Sequence, residues 1–179
     1  EVAVTIEEWY QKKAELEQQN LIPFGQIPLY QESDTGINIV QSHAIMRHLA
    51  RKHDLYGKTS EETIQCDIVE EAYVDAAQEL VTLYWDPEFE SKKQNMIDNV
   101  LPNRLAALDK YLSGNVKSGG NFWVGSSVTY VDYMMWAYLD CLRPFSSESI
   151  QKCSALWNFF QTFQQRTSIK KFLESERHP

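Results

Sequence analysis

The sequence predicts a small α/β unit followed by an all-helical domain, and three patterns carry that reading. Two short apolar runs, residues 27–31 and 37–40, flank Ser33-Asp34-Thr35-Gly36, whose Asp and Gly favour a tight reversal. Two capping boxes, Thr5-x-x-Glu8 and Thr129-x-x-Asp132, announce helix starts, because each side chain can satisfy the other residue's free amide. From Ser60 onward the apolar residues keep helical spacing almost to the end of the chain. Gly57-Lys58-Thr59 is the natural linker, which divides the chain into residues 1–57 and 58–179.

Residues 2–4 read as a short strand, and Thr5 opens a polar helix to about Gln19. The two apolar runs then form a β-hairpin. Ser42 caps a helix ending near Asp54, with an apolar stripe of Ile45, Met46, Leu49 and Ala50 and cations late in the helix, where its dipole favours them. Ser60, with Glu61 and Glu62, opens a long helix to about Trp85, its inward positions read as Ile64, Ile68, Ala72, Ala76, Leu80 and Tyr84. A helix over residues 91–113 follows, with Met96, Val100, Leu101, Leu105, Leu108 and Leu112 inward and a kink at Pro102. Residues 114–120 are a polar connection. Thr129 then caps a helix reaching Cys141, apolar nearly all round and therefore central, with Val128 and Tyr133 placed for a hydrophobic staple. Helices over residues 149–165 and 168–174 complete the chain.

At 43% hydrophobic and 23% charged, with only 7 Gly and 6 Pro, the composition is that of a globular protein and excludes collagen-like and disordered classes. No apolar run approaches the ~20 residues that span a bilayer, and Glu1-Val2-Ala3-Val4 shows neither a basic region nor a cleavage pattern, so the sequence gives no support for secretion. With 17 basic against 25 acidic residues, the net charge of −8 argues against nucleic acid as a partner. Three cysteines without a Cys-x-x-Cys pair read as reduced thiols, which fits a cytoplasmic location. His43, His48 and His53 step by five and so rotate around a helix, which argues against a His-only metal site.

No phosphate-binding glycine loop, Gly-x-Ser-x-Gly elbow or His-Glu-x-x-His motif is present. A binding geometry remains. Gln26-Ile27-Pro28 enters a strand, where the proline donates no ladder bond and leaves the backbone of Ile27 open to an extended ligand, although alone the triplet reads as a strand-start proline. Gln41-Ser42 precedes a helix whose free amides attract an anion, and Ser42 alone reads as an N-cap. Trp9, Lys12 and Lys13 on the first helix suit a second carboxylate as well as they suit a solvated face.

Taken together, the spacing is informative. Phe24-Gly25-Gln26-Ile27-Pro28, a hairpin, the run from Gln41-Ser42-His43 to Leu49, and Asp54-Leu55-Tyr56-Gly57 closely resemble the cytosolic glutathione transferases, nearest to the pi and sigma classes. Asp75 in the long helix, Phe122-Trp123-Val124-Gly125 and Thr129-Tyr130-Val131-Asp132 continue the resemblance over nearly the whole chain. It implies a thioredoxin-like glutathione-binding domain, here lacking its first strand and helix, followed by an all-α domain.

The resemblance further implies that Ile27 pairs with the cysteinyl unit of glutathione across a cis Pro28, beside Gln26, and that Gln41 and Ser42 hold the γ-glutamyl carboxylate. Asp75 would reach the ligand of a second subunit in a homodimer, and Trp9 with Lys13 would hold the glycyl end. The segment 14–22 is longer than in a typical member, which leaves Lys12 as a rival to Lys13. By itself, Asp75 reads as a solvated helix carboxylate.

Val81, Tyr84 and Trp85 match the region of the electrophile pocket, and equally suit a core. Trp85 stands where tyrosine is common in the pi class, and its indole donates a hydrogen bond without acting as an acid. The catalytic hydroxyl, usually tyrosine, is expected upstream of Glu1, since residues 2–4 match the family's second strand; the sequence reads as truncated. The implied function is conjugation of the glutathione thiolate to small hydrophobic electrophiles in detoxification, or isomerisation of one, with no metal. A noncatalytic, crystallin-like structural or ligand-carrying protein of the same fold is the alternative.

Overall fold

A computed structural model describes residues 5–178, so the strand expected at residues 2–4 lies outside the described part. The described residues form two compact units, one ending at His53 and the other beginning at Asp54.

The first unit runs α1 (Ile6–Gln18), β1 (Leu29–Gln31), β2 (Asn38–Val40), α2 (Ser42–Lys52). The first capping box forms: Glu8 N donates to Thr5 Oγ1 at 3.2 Å and Thr5 N donates to Glu8 Oε2 at 2.8 Å. At the other end of α1, Asn20 takes a left-handed φ of 55°, and Leu21 N donates to Leu16 O at 2.9 Å, a hydrogen-bonded stop to the helix. The strands pair antiparallel with Leu29 opposite Val40 and Gln31 opposite Asn38. Both are shorter than the apolar runs; β1 starts after Pro28, which has no N–H for the ladder.

Glu32, 7% exposed, closes the hairpin end of this unit. Its carboxylate accepts from Lys52 Nζ at 2.7 Å, Thr35 Oγ1 at 2.8 Å and Tyr30 Oη at 2.9 Å, and His48 Nε2 lies 3.0 Å away. A buried carboxylate needs such partners, and His48 and Lys52, one turn apart on α2, supply two of them. The N-cap of α2 is Gln41, not Ser42, which is already helical, and the helix stops at Lys52 rather than Asp54.

The second unit is all-helical: α3 (Ser60–Tyr84), α4 (Phe89–Asn95), a π-turn (Met96–Val100), α5 (Leu101–Ser113), α6 (Tyr130–Gln151), α7 (Ser154–Phe163) and α8 (Thr167–Leu173). Thr59 rather than Ser60 caps α3, accepting from Glu62 N at 3.2 Å. The inward face of α3 is Cys66, Val69, Glu70, Ala76 and Leu83, whereas the expected Ile64, Ile68 and Tyr84 are 59%, 52% and 69% exposed. A spacing of four overshoots one helical turn by about 40° per step, so six such positions sweep about 200° and cannot share a face. The buried residues instead recur at three and seven, which holds one side.

The helix expected over residues 91–113 is divided, with the π-turn just ahead of Pro102, whose missing N–H and ring break the ladder there. Leu101, Leu105, Leu108 and Leu112 are buried as their spacing requires. Helix α6 is central, with Val131, Met135, Leu139 and Leu142 at most 1% exposed. It extends past Cys141 to Gln151, bending at Ser146 (φ −158°, ψ 78°), two residues after Pro144. Residues 149–151 therefore belong to α6, and α7 begins only at Ser154.

The second capping box is buried at the head of α6. Asp132 accepts from Thr129 N at 2.6 Å, Thr129 Oγ1 at 2.9 Å and, from the preceding loop, Trp123 N at 2.8 Å. Burial pushes the Asp132 carboxyl up to about 6 against the pull of those donors. Trp123 packs edge-on to Phe159 of α7, ring centres 5.9 Å apart, which joins this cap to the core.

Candidate functional site

The hairpin register builds the site in the first unit. Because Leu29 faces Val40, the next positions outward are Pro28 and Gln41, so the Ile27-Pro28 segment and the start of α2 lie side by side at one end of the hairpin. The Ile27–Pro28 peptide is cis. Ile27 is 50% exposed, and neither its N–H nor its C=O bonds another described residue, so both are open to an extended ligand. Gln26 is exposed beside it.

Gln41 holds φ 72° and ψ 112°, outside the ordinary regions for a side chain-bearing residue. Its carbonyl accepts from Ile45 N at 3.0 Å, but no side chain caps α2. The first amides of an eleven-residue helix are thus presented, with the positive dipole end, between the exposed side chains of Gln41 and Ser42. A carboxylate placed there meets donors on the backbone and on both side chains.

Helix α1 contributes the other end. Lys13 is half-buried, and a Cβ built on Gly25 would lie 3.3 Å from its Nζ and 2.8 Å from Glu17 Oε1. Gly25, at φ 62°, lets the chain pass this close; Lys13 and Glu17 are 3.8 Å apart. Lys12 is exposed and Trp9 half-buried on the same helix. Thus Lys13, Gly25, Gln26, Ile27, Pro28, Gln41 and Ser42 are gathered within one unit.

The remaining candidates belong to the helical unit. Asp75 is exposed on a groove shared with Gln78, Thr82, Met96 and Val100, next to the ion pair of Glu79 and Arg104. Val81 and Tyr84 line an apolar cavity of about 240 Å3. Trp85, 77% exposed, stands edge-on to Tyr84 with ring centres 5.2 Å apart. All three are surface residues, so the core alternative for them is set aside. Among the described residues no group of three His, Cys, Asp or Glu could hold a metal.

Sequence reasoning missed the Glu32 cluster, although His48 and Lys52, four apart on one helix face, are a recognisable pair of donors. It also missed Glu70, fully buried and bonded to Tyr130 Oη at 2.6 Å across 60 residues of sequence, for which no local pattern exists.

A family profile described as the C-terminal domain of glutathione S-transferase matches residues 74–176, more than half of the chain. The chain belongs to the glutathione S-transferase family. Mouse glutathione S-transferase Mu 1 is 34% identical over 146 residues, which is 81% of this chain and 64% of that protein. A glutathione S-transferase of Dirofilaria immitis is 33% identical over 149 residues, 83% of this chain and 70% of its own length. The structure of the Onchocerca volvulus pi-class glutathione S-transferase superposes with a TM-score of 0.86 at 27% identity, covering 97% of this chain and 79% of that one. The chain therefore has the glutathione-transferase fold, and it spans less than two thirds of the mouse relative's length. No helix among the described residues is long and apolar enough to cross a membrane.

Proposed function

We propose that this chain is the greater part of a pi- or sigma-type cytoplasmic glutathione transferase, a homodimer that conjugates glutathione to small hydrophobic electrophiles. Residues 1–57 would form the glutathione-binding domain and 58–179 the helical domain. The observation that carries the reading is the adjacency of the open Ile27 backbone before cis Pro28 and the uncapped start of α2. An extended tripeptide lies along the first with its terminal carboxylate over the second.

In this arrangement Ile27 pairs with the cysteinyl backbone beside Gln26, and Gln41 with Ser42 holds the γ-glutamyl carboxylate. Lys13, close to Gly25, meets the glycyl carboxylate, and Trp9 covers it. Asp75 of the partner subunit would face the γ-glutamyl ammonium. Val81, Tyr84 and Trp85 form an apolar wall that concentrates the electrophile. Glutathione is the substrate and no metal takes part. The nucleophile is the thiolate, and none of these residues is assigned to its activation.

The test is titration of the protein with glutathione and with cysteinylglycine, followed by thioether formation with a chlorodinitrobenzene. Binding that requires the γ-glutamyl group and is weakened about tenfold by Ser42→Ala, a loss of ~1.4 kcal/mol, supports the reading. Equal binding of both peptides overturns it. Tight binding without thioether formation favours a ligand-carrying protein.

A further inference from the structure

The cavity against the end of α3 carries a feature that the electrophile wall does not use. Its surface is almost entirely hydrocarbon and aromatic ring, closed by Phe89 from α4 and Phe145 and Cys141 from α6. Lys93 Nζ stands 5.8 Å from the centre of the Phe89 ring and 5.5 Å from that of Phe145. The faces of those two wall rings hold the ammonium beside the cavity. Its neighbour Lys92 is neutralised by Asp86 at 2.8 Å and Glu88 at 3.0 Å, whereas half-buried Lys93 has no carboxylate partner among the described residues. All three of its donors remain available.

We propose that this cavity binds small aromatic or short-chain carboxylic acids, the apolar end inside and the carboxylate on Lys93. An apolar chamber with one uncompensated cation against two of its wall rings selects an amphiphilic monoanion, because an uncharged ligand leaves Lys93 unpaired and a dianion brings more charge than one ammonium neutralises. Size agrees: a cavity of about 150 Å3 accepts benzene, so about 240 Å3 takes a ring with a short chain. Cys141 lines this chamber, and burial first and Asp140 second push its thiol up. The inference deepens the proposed function, sharing Val81 and Tyr84 with the electrophile wall, by naming the ligand class.

Phenylbutyrate and its uncharged counterpart phenylbutanol, titrated calorimetrically into the whole chain without glutathione, test the site. The acid binds about tenfold more tightly than the alcohol, as a charge-assisted bond requires. Lys93→Met removes that preference, and Lys93→Arg retains it. In parallel, phenylbutyrate slows iodoacetamide alkylation of Cys141 on the alkaline side of neutrality and leaves Cys153 unaffected. Equal affinity for acid and alcohol, an unchanged preference in Lys93→Met, or undiminished alkylation of Cys141 overturns the inference. Because no glutathione is present, a protein that passes here and fails to bind the tripeptide overturns the proposed function alone, and the reverse result overturns this inference alone.

Discussion

Lys52 Nζ, on the last turn of α2, lies 2.7 Å from Oε1 of Glu32 at the end of β1. That pair ties the hairpin to the helix whose first turn forms half of the proposed glutathione site. Lys52 first, then His48, Thr35 and Tyr30, hold the Glu32 carboxyl far below the usual carboxylate range. The unfolded chain therefore takes up this proton at a higher pH than the folded one. The stability it contributes is whole above the ordinary value of 4.5 and is lost as pH falls through and below it. Glu32→Gln should lower the melting temperature at neutral pH and flatten its decline on the acid side, as followed by circular dichroism. An unchanged acid limb would place the acid sensitivity elsewhere.

Glu62 presses on Gly125, where an added Cβ would lie 2.5 Å from Oε1 at a φ of 60°. The same carboxylate accepts from Lys58 N at 2.6 Å, so it cannot simply swing away. Gly125→Ala combines left-handed strain with a clash and should cost about 2–4 kcal/mol in denaturant unfolding. Gly36→Ala, at φ 70° with open space around it, carries the strain alone and should cost about 1–2 kcal/mol.

The cap of α6 was fully legible in sequence, because both halves of a capping box lie within four residues. What the sequence did not show is that Asp132 also accepts from Trp123 N, a contact set by how the preceding loop packs. Asp132→Ala should therefore cost more than Thr129→Ala. The first leaves two buried amides unpaired, at about 1–3 kcal/mol each, and the second removes a cap bond of about 1 kcal/mol. Chemical denaturation of both variants checks the order.

Helix existence was readable throughout, while the buried face of α3 was not. Every fourth residue of α3 is apolar over a long run, and only tertiary packing decides which of those residues stay wet. Ile64→Ala and Ile68→Ala should change stability by less than about 0.5 kcal/mol, whereas Leu105→Ala in α5, with no exposure, should cost about 2–5 kcal/mol. The hairpin ends, the split at Pro102 and the bend after Pro144 follow the same lesson. Proline positions marked where the elements break, and packing decided how far each one runs.

The adjacency of Pro28 and Gln41 was legible because local order sets it: a single hairpin brings them together. The choice between Lys12 and Lys13 was not, since it depends on how the chain after α1 turns back. The left-handed Asn20 stops the helix, and Gly25 then passes against Lys13 and leaves Lys12 in solvent. If Lys13 meets the glycyl carboxylate, glutathione should bind more tightly than γ-glutamylcysteine. Lys13→Met should erase most of that difference, about tenfold or ~1.4 kcal/mol, and Lys12→Met should leave it intact. Both variants keep the apolar stem, so a loss common to the two would mean that general positive charge on α1, and not one placed ammonium, attracts the ligand; raising the salt concentration separates these, because a diffuse attraction fades within the screening length of about 10 Å at moderate salt.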